Sequence, residues 1–287
     1  MTNPPGPVAS LSLRIQQAQD QLPKAEKQLA DLILEAPGQM ASYSATEISR
    51  MAGVSNATVS RLVRRLGYEN YEQMRRLARE GISWGSPLFL ASQEGAGGQG
   101  GDKDIFEEHL LASNQNIRDS FAGIAPRTIQ EACDAIAGAR QVRIFGQRNN
   151  YFFAAYLRWQ FIQFRSNVYL LPVSGETLAE YLAGLEPDDI FILFGLRRRP
   201  PGLPDLIATI KTFKVKTVLI TDVSCTDSLG ADWTLRCQTR SPIALDNHTA
   251  VMALCHVLSA QLIARAGKKG RQRLARIEDL HAQLKEL

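Results

Sequence analysis

The apolar positions keep a helical period over the first eighty or so residues, most sharply between Ser44 and Tyr68. Ile48, Met51 and Ala52 recur at i, i+3, i+4, and Val59, Leu62, Val63 and Leu66 at i, i+3, i+4, i+7, so each run lines one face of a helix. Between them, Gly53-Val54-Ser55 supplies a residue tolerant of positive φ, an apolar plug and a hydroxyl suited to cap the second helix. Ser44-Ala45-Thr46-Glu47 has the spacing of a capping box at the start of the first. This is the outline of a helix-turn-helix. An amphipathic helix opening at Leu22-Pro23-Lys24 is predicted to precede it, with Leu29, Leu32 and Ile33 on its face and a stop near Pro37-Gly38; another is predicted from Tyr71 to Leu77.

Beyond Trp84 that period is lost. Gly85, Gly95, Gly97, Gly98, Gly100 and Gly101 crowd a segment that reads as a flexible linker. Asp104 to Phe121 regains a helical pattern, with Ile105, Phe106, His109, Leu110 and Ile117 on its apolar side, and Pro126 opens a further helix. From Gln141 short apolar runs take over: Val142–Phe145, Val168–Leu171, Ile190–Phe194, Thr217–Ile220 and, more weakly, Trp233–Leu235. Helical stretches at 150–164, 176–182 and 204–213 separate most of them, which predicts a parallel sheet covered on both faces. The expected architecture is an all-α helix-turn-helix domain (1–82), a Gly-rich linker (83–103) and an α/β three-layer domain with a parallel sheet of about five strands (104–287). Its last segment, from Gly267, starts with Lys268, Lys269, Arg271 and Arg273 and continues as an amphipathic run through Leu274, Ile277, Leu280 and Leu284.

Charge placement gives the first pattern its chemistry. Seven arginines face three glutamates between Thr46 and Arg79, an excess of four that equals the formal net charge of the whole chain. Asn56, Thr58, Ser60, Arg61, Arg64 and Arg65 are predicted to lie off the apolar face of the second helix, where Arg and Asn can pair with base edges and cations with phosphates. Ser44 and Ser55, at the two helix starts, are placed to meet phosphates as well as to cap. Double-stranded DNA is the partner this pattern implies; a helical hairpin with a solvated basic face is the plainer alternative.

Other function classes are narrowed by absence. Cys133, Cys225, Cys237 and Cys255 have no CxxC spacing and sit among apolar residues, as buried reduced thiols do. No run approaches the ~18–20 continuous apolar residues of a membrane span, and Met1-Thr2-Asn3-Pro4-Pro5 has no signal-peptide pattern. A cytoplasmic protein with no membrane partner is expected. No cofactor and no metal are expected: His248 and Cys255 share a helical face, but His256 diverges from it.

The series LPKAEKQLADLIL followed by YSATEISRMAGVSNATVSRLVRRLGYENYEQMR resembles the N-terminal domain of the RpiR/MurR family of bacterial transcriptional regulators, over roughly Leu11 to Arg79. The resemblance implies a regulator of a metabolic operon with a C-terminal companion. From about Ile105 to Arg265, the strand order, the Ile220-Thr221-Asp222 step and Leu229-Gly230-Ala231-Asp232 are similar to a SIS (sugar isomerase) domain. Such domains bind ligands beyond the carboxyl ends of the strands, which here selects Gly146, Arg148, Asn149 and Asn150, then Gly195, Arg197 and Arg198, and finally Asp222. Family members that sense sugar phosphates carry a G-x-G-x-S turn after the first strand and a Ser-x-Ser-Gly-x-Thr turn after the third. This chain departs from both, with Arg148 and Asn150 in the first and Arg197, Arg198 and Pro200 in the second. Arginine forks hold phosphate or carboxylate in a pocket of different shape. The implied effector is therefore a small anion, a phosphorylated sugar or a carboxylate.

Alternatives stand beside each reading. The Arg197-Arg198-Arg199 triplet clamps an anion, or is a solvated loop, or pairs with Asp188, Asp189 or Asp205 of a partner subunit; Asp222 is a ligand or a turn-former. The SIS fold also serves isomerases, with Glu176 or His248 as the base such chemistry needs, and it serves as a ligand-free oligomerisation module. Family resemblance and the half-site logic of helix-turn-helix readers imply a homodimer or homotetramer assembled mainly through residues 104–287.

Overall fold

The computed structural model describes residues 7–35, 40, 42–83, 105–243 and 245–286. The predicted linker and the Pro37-Gly38 stop lie outside the described residues. These residues divide into two compact units, one within 1–108 and 241–246, the other within 109–240 and 247–287.

The first unit is helical. Helices α1 (Pro7–Ala18), α2 (Lys24–Glu35), α3 (Ala45–Met51), α4 (Asn56–Arg65) and α5 (Tyr71–Ser83) close around Leu11, Ile15, Leu29, Ile33, Ile48, Leu62, Val63 and Met74. The i, i+3, i+4 stripes read in the sequence supply much of this core: Ile48, Ala52, Val59, Leu62, Val63 and Leu66 are all buried. Met51 is the exception and is exposed. Helix α1 joins through Arg14, whose guanidinium donates to Leu66 O at 2.8 Å and lies 4.9 Å over the Tyr68 ring.

The second unit is a three-layer α/β domain. Its sheet is fully parallel in the order β2-β1-β3-β4-β5, with β1 (Val142–Phe145), β2 (Val168–Leu171), β3 (Ile190–Gly195), β4 (Lys216–Asp222) and β5 (Trp233–Cys237). The apolar runs alternate across it. Val142, Ile144, Ile190, Ile192, Phe194, Val218 and Ile220 meet α7 (Pro126–Gly138), α8 (Asn150–Ile162) and α11 (Thr249–Leu284). Phe145, Phe191, Leu193 and Leu219 meet the other layer, α9 (Leu178–Leu182) and α10 (Leu203–Thr212). Since β1 is followed by β2 on one side and pairs with β3 on the other, the order reverses between β1 and β3. The crevice beyond their carboxyl ends is where such sheets hold ligands.

Two elements differ from expectation. Helix α6 (Ile105–Gly123) buries its apolar stripe only in part: Ile117 packs half-buried on the core, but Ile105, Phe106, His109 and Leu110 are exposed, and Ser113, Asn116 and Ser120 are buried. The reason is hydrogen bonding, because Asn116 Nδ2 donates to Arg240 O, Asn247 Nδ2 to Ser113 Oγ, and the Gln238 amide to Ser120 Oγ. Helix α11 is long and apolar enough to cross a membrane by length and composition. Its first half instead inserts Val251, Leu254, Cys255, Leu258 and Leu262 into the domain core. The helix breaks at Gly267, whose φ of 55° and ψ of −138° suit glycine alone, and beyond the break Leu280 and Leu284 are exposed.

Candidate functional site

In the first unit the helix-turn-helix is fixed at every junction. Ser44 caps α3 in a reciprocal box: its Oγ accepts from the Glu47 amide, and its own amide donates to Glu47 Oε2 at 2.7 Å. That backbone bond, with the Ser44 hydroxyl, holds the Glu47 carboxyl below the usual range. At the other end Gly53 (φ 64°) closes α3: the Gly53 amide donates to Arg50 O and the Val54 amide to Ser49 O, the paired bonds of a Schellman motif. Ser55 caps α4 by accepting from the Thr58 amide, and Gly67 and Tyr68 repeat the same closing motif on Arg64 and Val63. Each cap of this kind is worth about 1 kcal/mol. Burial of Val59, Leu62 and Val63 sets which face of α4 turns inward.

That outer face presents Asn56, Ser60, Arg61 and Arg64, all exposed. Arg61 Nη2 donates to Thr58 Oγ1 at 3.2 Å, and Asn56 Oδ1 accepts from Ser49 Oγ at 2.7 Å, so two candidate base readers are oriented before any ligand arrives. Two of the expected contact residues sit differently. Thr58 is buried, not off the apolar face, because its hydroxyl is needed between Ser55 Oγ and Arg61. Arg65 is tied at 2.7 Å to the buried carboxylate of Glu26 on α2, so it serves hairpin packing before any phosphate. Nothing in the sequence pattern singled out Glu26, since an acidic residue in a first helical turn reads as solvated.

In the second unit the strand ends bring the expected residues together. Gly146 is obligatory after β1, because a Cβ there would stand 2.3 Å from Asn150 O. Asn150 opens α8, is fully buried, and its Oδ1 accepts from the Leu196 amide at 3.2 Å, joining the β1 and β3 turns across the switch point. Its Nδ2 is buried with no hydrogen-bond partner. Arg148 (φ 57°) and Arg198 (φ 65°) both hold left-handed backbone, a conformation that costs a non-glycine residue roughly 1–2 kcal/mol. Arg148 and Asn149 are exposed at this turn.

Arg199, the third arginine of the triplet, is the one that spans the strand ends. Nη1 donates to Gly195 O at 3.2 Å, Thr221 Oγ1 at 3.3 Å and Asp222 Oδ2 at 2.7 Å, while Nη2 reaches Ser224 Oγ at 2.8 Å. Asp222 is buried and also accepts from the Ser224 amide, so it is both turn-former and arginine acceptor. Asp189 is no partner for the triplet. It is buried before β3, at the opposite end of the strands, where Oδ2 accepts from Arg143 Nη1 at 2.5 Å and Arg140 Nη2 at 2.9 Å.

Glu176 is exposed and accepts from Tyr181 Oη, and the His248 ring packs 5.0 Å from that of Phe153. The four cysteines are free and buried; burial pushes the Cys133 and Cys237 thiols up to about 11 and about 12, and Cys255 higher still. Among the described residues no group of three His, Cys, Asp or Glu side chains is placed to hold a metal.

Residues 9–81 match the helix-turn-helix domain of the rpiR family, and residues 135–265 match the SIS domain. The HTH-type transcriptional regulator HexR of Pseudomonas aeruginosa is 30% identical over 134 residues, which are 46% of this chain and 46% of that protein. The chain thus spans about half the length of that relative. An HTH-type transcriptional regulator of Thermotoga maritima is 25% identical over 209 residues, 72% of this chain and 74% of its own. The Vibrio vulnificus NanR protein complexed with ManNAc-6P has the same fold, with a TM-score of 0.56 at 17% identity over 96% of this chain and 98% of that one. So does the sugar isomerase domain of an RpiR transcription factor from Sphaerobacter thermophilus, with a TM-score of 0.57 at 21% identity over 62% of this chain and 99% of that one.

Proposed function

The chain belongs to the RpiR family of helix-turn-helix transcriptional regulators that carry a SIS domain, and we propose that it regulates a metabolic operon by binding an operator through α3 and α4 and a small anion at the ends of β1, β3 and β4. The observation that carries the first half is the doubly capped α4, which holds Asn56, Ser60, Arg61 and Arg64 outward with Arg61 already oriented. Ser44 and Ser55 flank them as phosphate contacts, and Arg65 divides its charge between Glu26 and the duplex backbone. Residues 1–82 form the reader, 83–103 a Gly-rich linker, and 104–287 the effector-binding and oligomerisation domain. The protein meets its DNA in the bacterial cytoplasm as a homodimer or homotetramer. Exposed Phe152 and Trp159 on α8 and Leu280 and Leu284 on the tail of α11 are apolar surface that assembly would cover.

The second half rests on the arginine turns. Left-handed Arg148 and Arg198 keep a backbone that glycine would adopt without cost, and strain of that kind concentrates at ligand sites. Asp222 accepts from Arg199, the contact an anionic effector would compete with. A phosphorylated sugar or carboxylate competes with that carboxylate, drawing Arg199 out of the crevice beside Gly146, Asn149, Asn150, Gly195 and Arg197. ManNAc-6P, found with NanR, is the first probe. The effector acts only through unequal affinity for two arrangements of the chain. Catalysis is no part of this reading, which rests on the regulator family of the helix-turn-helix and SIS domains.

Arg199→Ala and Arg198→Ala are expected to leave operator affinity within about twofold while at least one abolishes the effector's influence on it, as read by fluorescence anisotropy. The internal Arg199–Asp222 closure favours a second reading, a ligand-free oligomerisation module. Normal effector responses in both variants would remove the arginine clamp. No response of the wild type to any sugar phosphate or carboxylate would leave the ligand-free module.

A further inference from the structure

A concentration of positive charge in the second unit lies away from the strand-end crevice, at the amino-terminal end of the strands. A cavity of about 690 Å³ opens there beside α11, lined by Arg140, Arg165, Arg265, Lys269, Arg273 and Arg276 among others. Its volume falls within the ~300–1,000 Å³ typical of small-molecule sites. No Asp or Glu lines it.

How these six cations are neutralised decides what the cavity is for. Arg140 and Arg265 point at carboxylates, the first at Asp189 and Glu186 and the second at Asp134. Arg165 donates to carbonyls alone, those of Ile136, Ala139 and its neighbour Ser166, and Arg273 to that of Ile162; Ile136, Ala139 and Ile162 lie at the carboxyl ends of α7 and α8. A helix terminus supplies about half a negative charge. Burial lowers the pKa of Arg165, a sign that this guanidinium is partly stripped of water. Lys269 and Arg276 make no ion pair or hydrogen bond with the described residues and are exposed toward the opening. Four cationic groups therefore share one concavity without a carboxylate, an arrangement that raises the free energy of the empty protein and falls when an anion enters.

We propose that this cavity is a second anion site, built for a small phosphorylated molecule carrying two or more negative charges. Guanidinium forks match phosphate oxygens in bidentate fashion, and Lys269 adds a point charge. A duplex cannot enter a space of this volume. The lining straddles the Gly267 break, with Arg265 before it and Lys269, Arg273 and Arg276 after it. An occupant bridging Arg165 to Lys269 and Arg276 fixes the angle at which the tail of α11 leaves the domain. This site is independent of the strand-end reading, and either can fail without the other.

The test is calorimetric titration of the full chain with inorganic pyrophosphate, comparing wild type, K269A/R276A and R199A. Saturable pyrophosphate binding is expected for wild type and is expected to persist in R199A, with at least about a tenfold loss in the double variant, about 1.4 kcal/mol. Both replaced side chains are exposed and unpaired, so the double variant keeps the fold, which its circular dichroism verifies. Wild-type protein that takes up no pyrophosphate overturns the proposal. So does binding that survives K269A/R276A but disappears in R199A, which would place the anion at the strand ends. A double variant that loses DNA affinity while wild type takes up no pyrophosphate would make the cleft a DNA-backbone surface and equally overturn it.

Discussion

Asp189→Ala is expected to destabilise the α/β unit by about 3–5 kcal/mol, the cost of removing one partner from a buried ion pair. The carboxylate is almost fully buried, and a single oxygen, Oδ2, receives Arg143 at 2.5 Å, Arg140 at 2.9 Å and the Glu186 amide at 3.1 Å. Arg143 is itself buried within β1, so its guanidinium has no route to water when the acceptor goes. Its remaining bond is to Gly184 O at 3.3 Å. Asp189→Asn keeps an acceptor and is expected to lose less. Replacing both partners, Asp189→Leu with Arg143→Met, is expected to be far milder than Asp189→Ala alone, because no charge is then left stranded. Urea denaturation followed by far-ultraviolet circular dichroism reads the result. An unchanged midpoint for Asp189→Ala would show that the triad contributes nothing.

Arg61→Ala is expected to weaken operator binding by about 1–3 kcal/mol, the value of a bidentate base contact, with little effect on stability. The side chain is exposed, and its one internal bond, to Thr58 Oγ1, orients it without burying it. Arg64→Ala, on the same outer face, is expected to lower affinity for operator and unrelated duplex alike if it meets phosphate. Anisotropy with a duplex selected from a random library separates the two. Affinity unchanged by Arg61→Ala would remove that residue from the reading face.

How much of this was legible in the sequence follows from which interactions leave a periodic trace. Apolar stripes do, and they placed α3, α4 and all five strands, because Val59, Leu62, Ile192 and Val218 are buried wherever the chain folds. Caps do as well: Ser44 with Glu47, and Ser55, bond as their spacing implied. Buried polar contacts leave none. Helix α6 turned its serines and Asn116 inward because acceptors and donors in 238–249 were waiting, and those lie more than a hundred residues away. For the same reason the triplet could not show that Arg199 would be the member reaching Asp222, twenty-three residues on, or that Asn150 would hold the Leu196 amide. Thr58 was misplaced because a hydroxyl on a polar-looking edge turned inward to serve the cap.

As proposed, the protein recognises its operator sequence-specifically with a paired reader. The decisive measurement is anisotropy of the full chain on three duplexes: the selected site with two half-sites, a single half-site, and a scrambled sequence of equal length. The two-half-site duplex is expected to bind at least ~10³-fold more tightly than the scrambled one, with the single half-site between them. Equal affinity for all three would contradict it and reduce α4 to a solvated basic face.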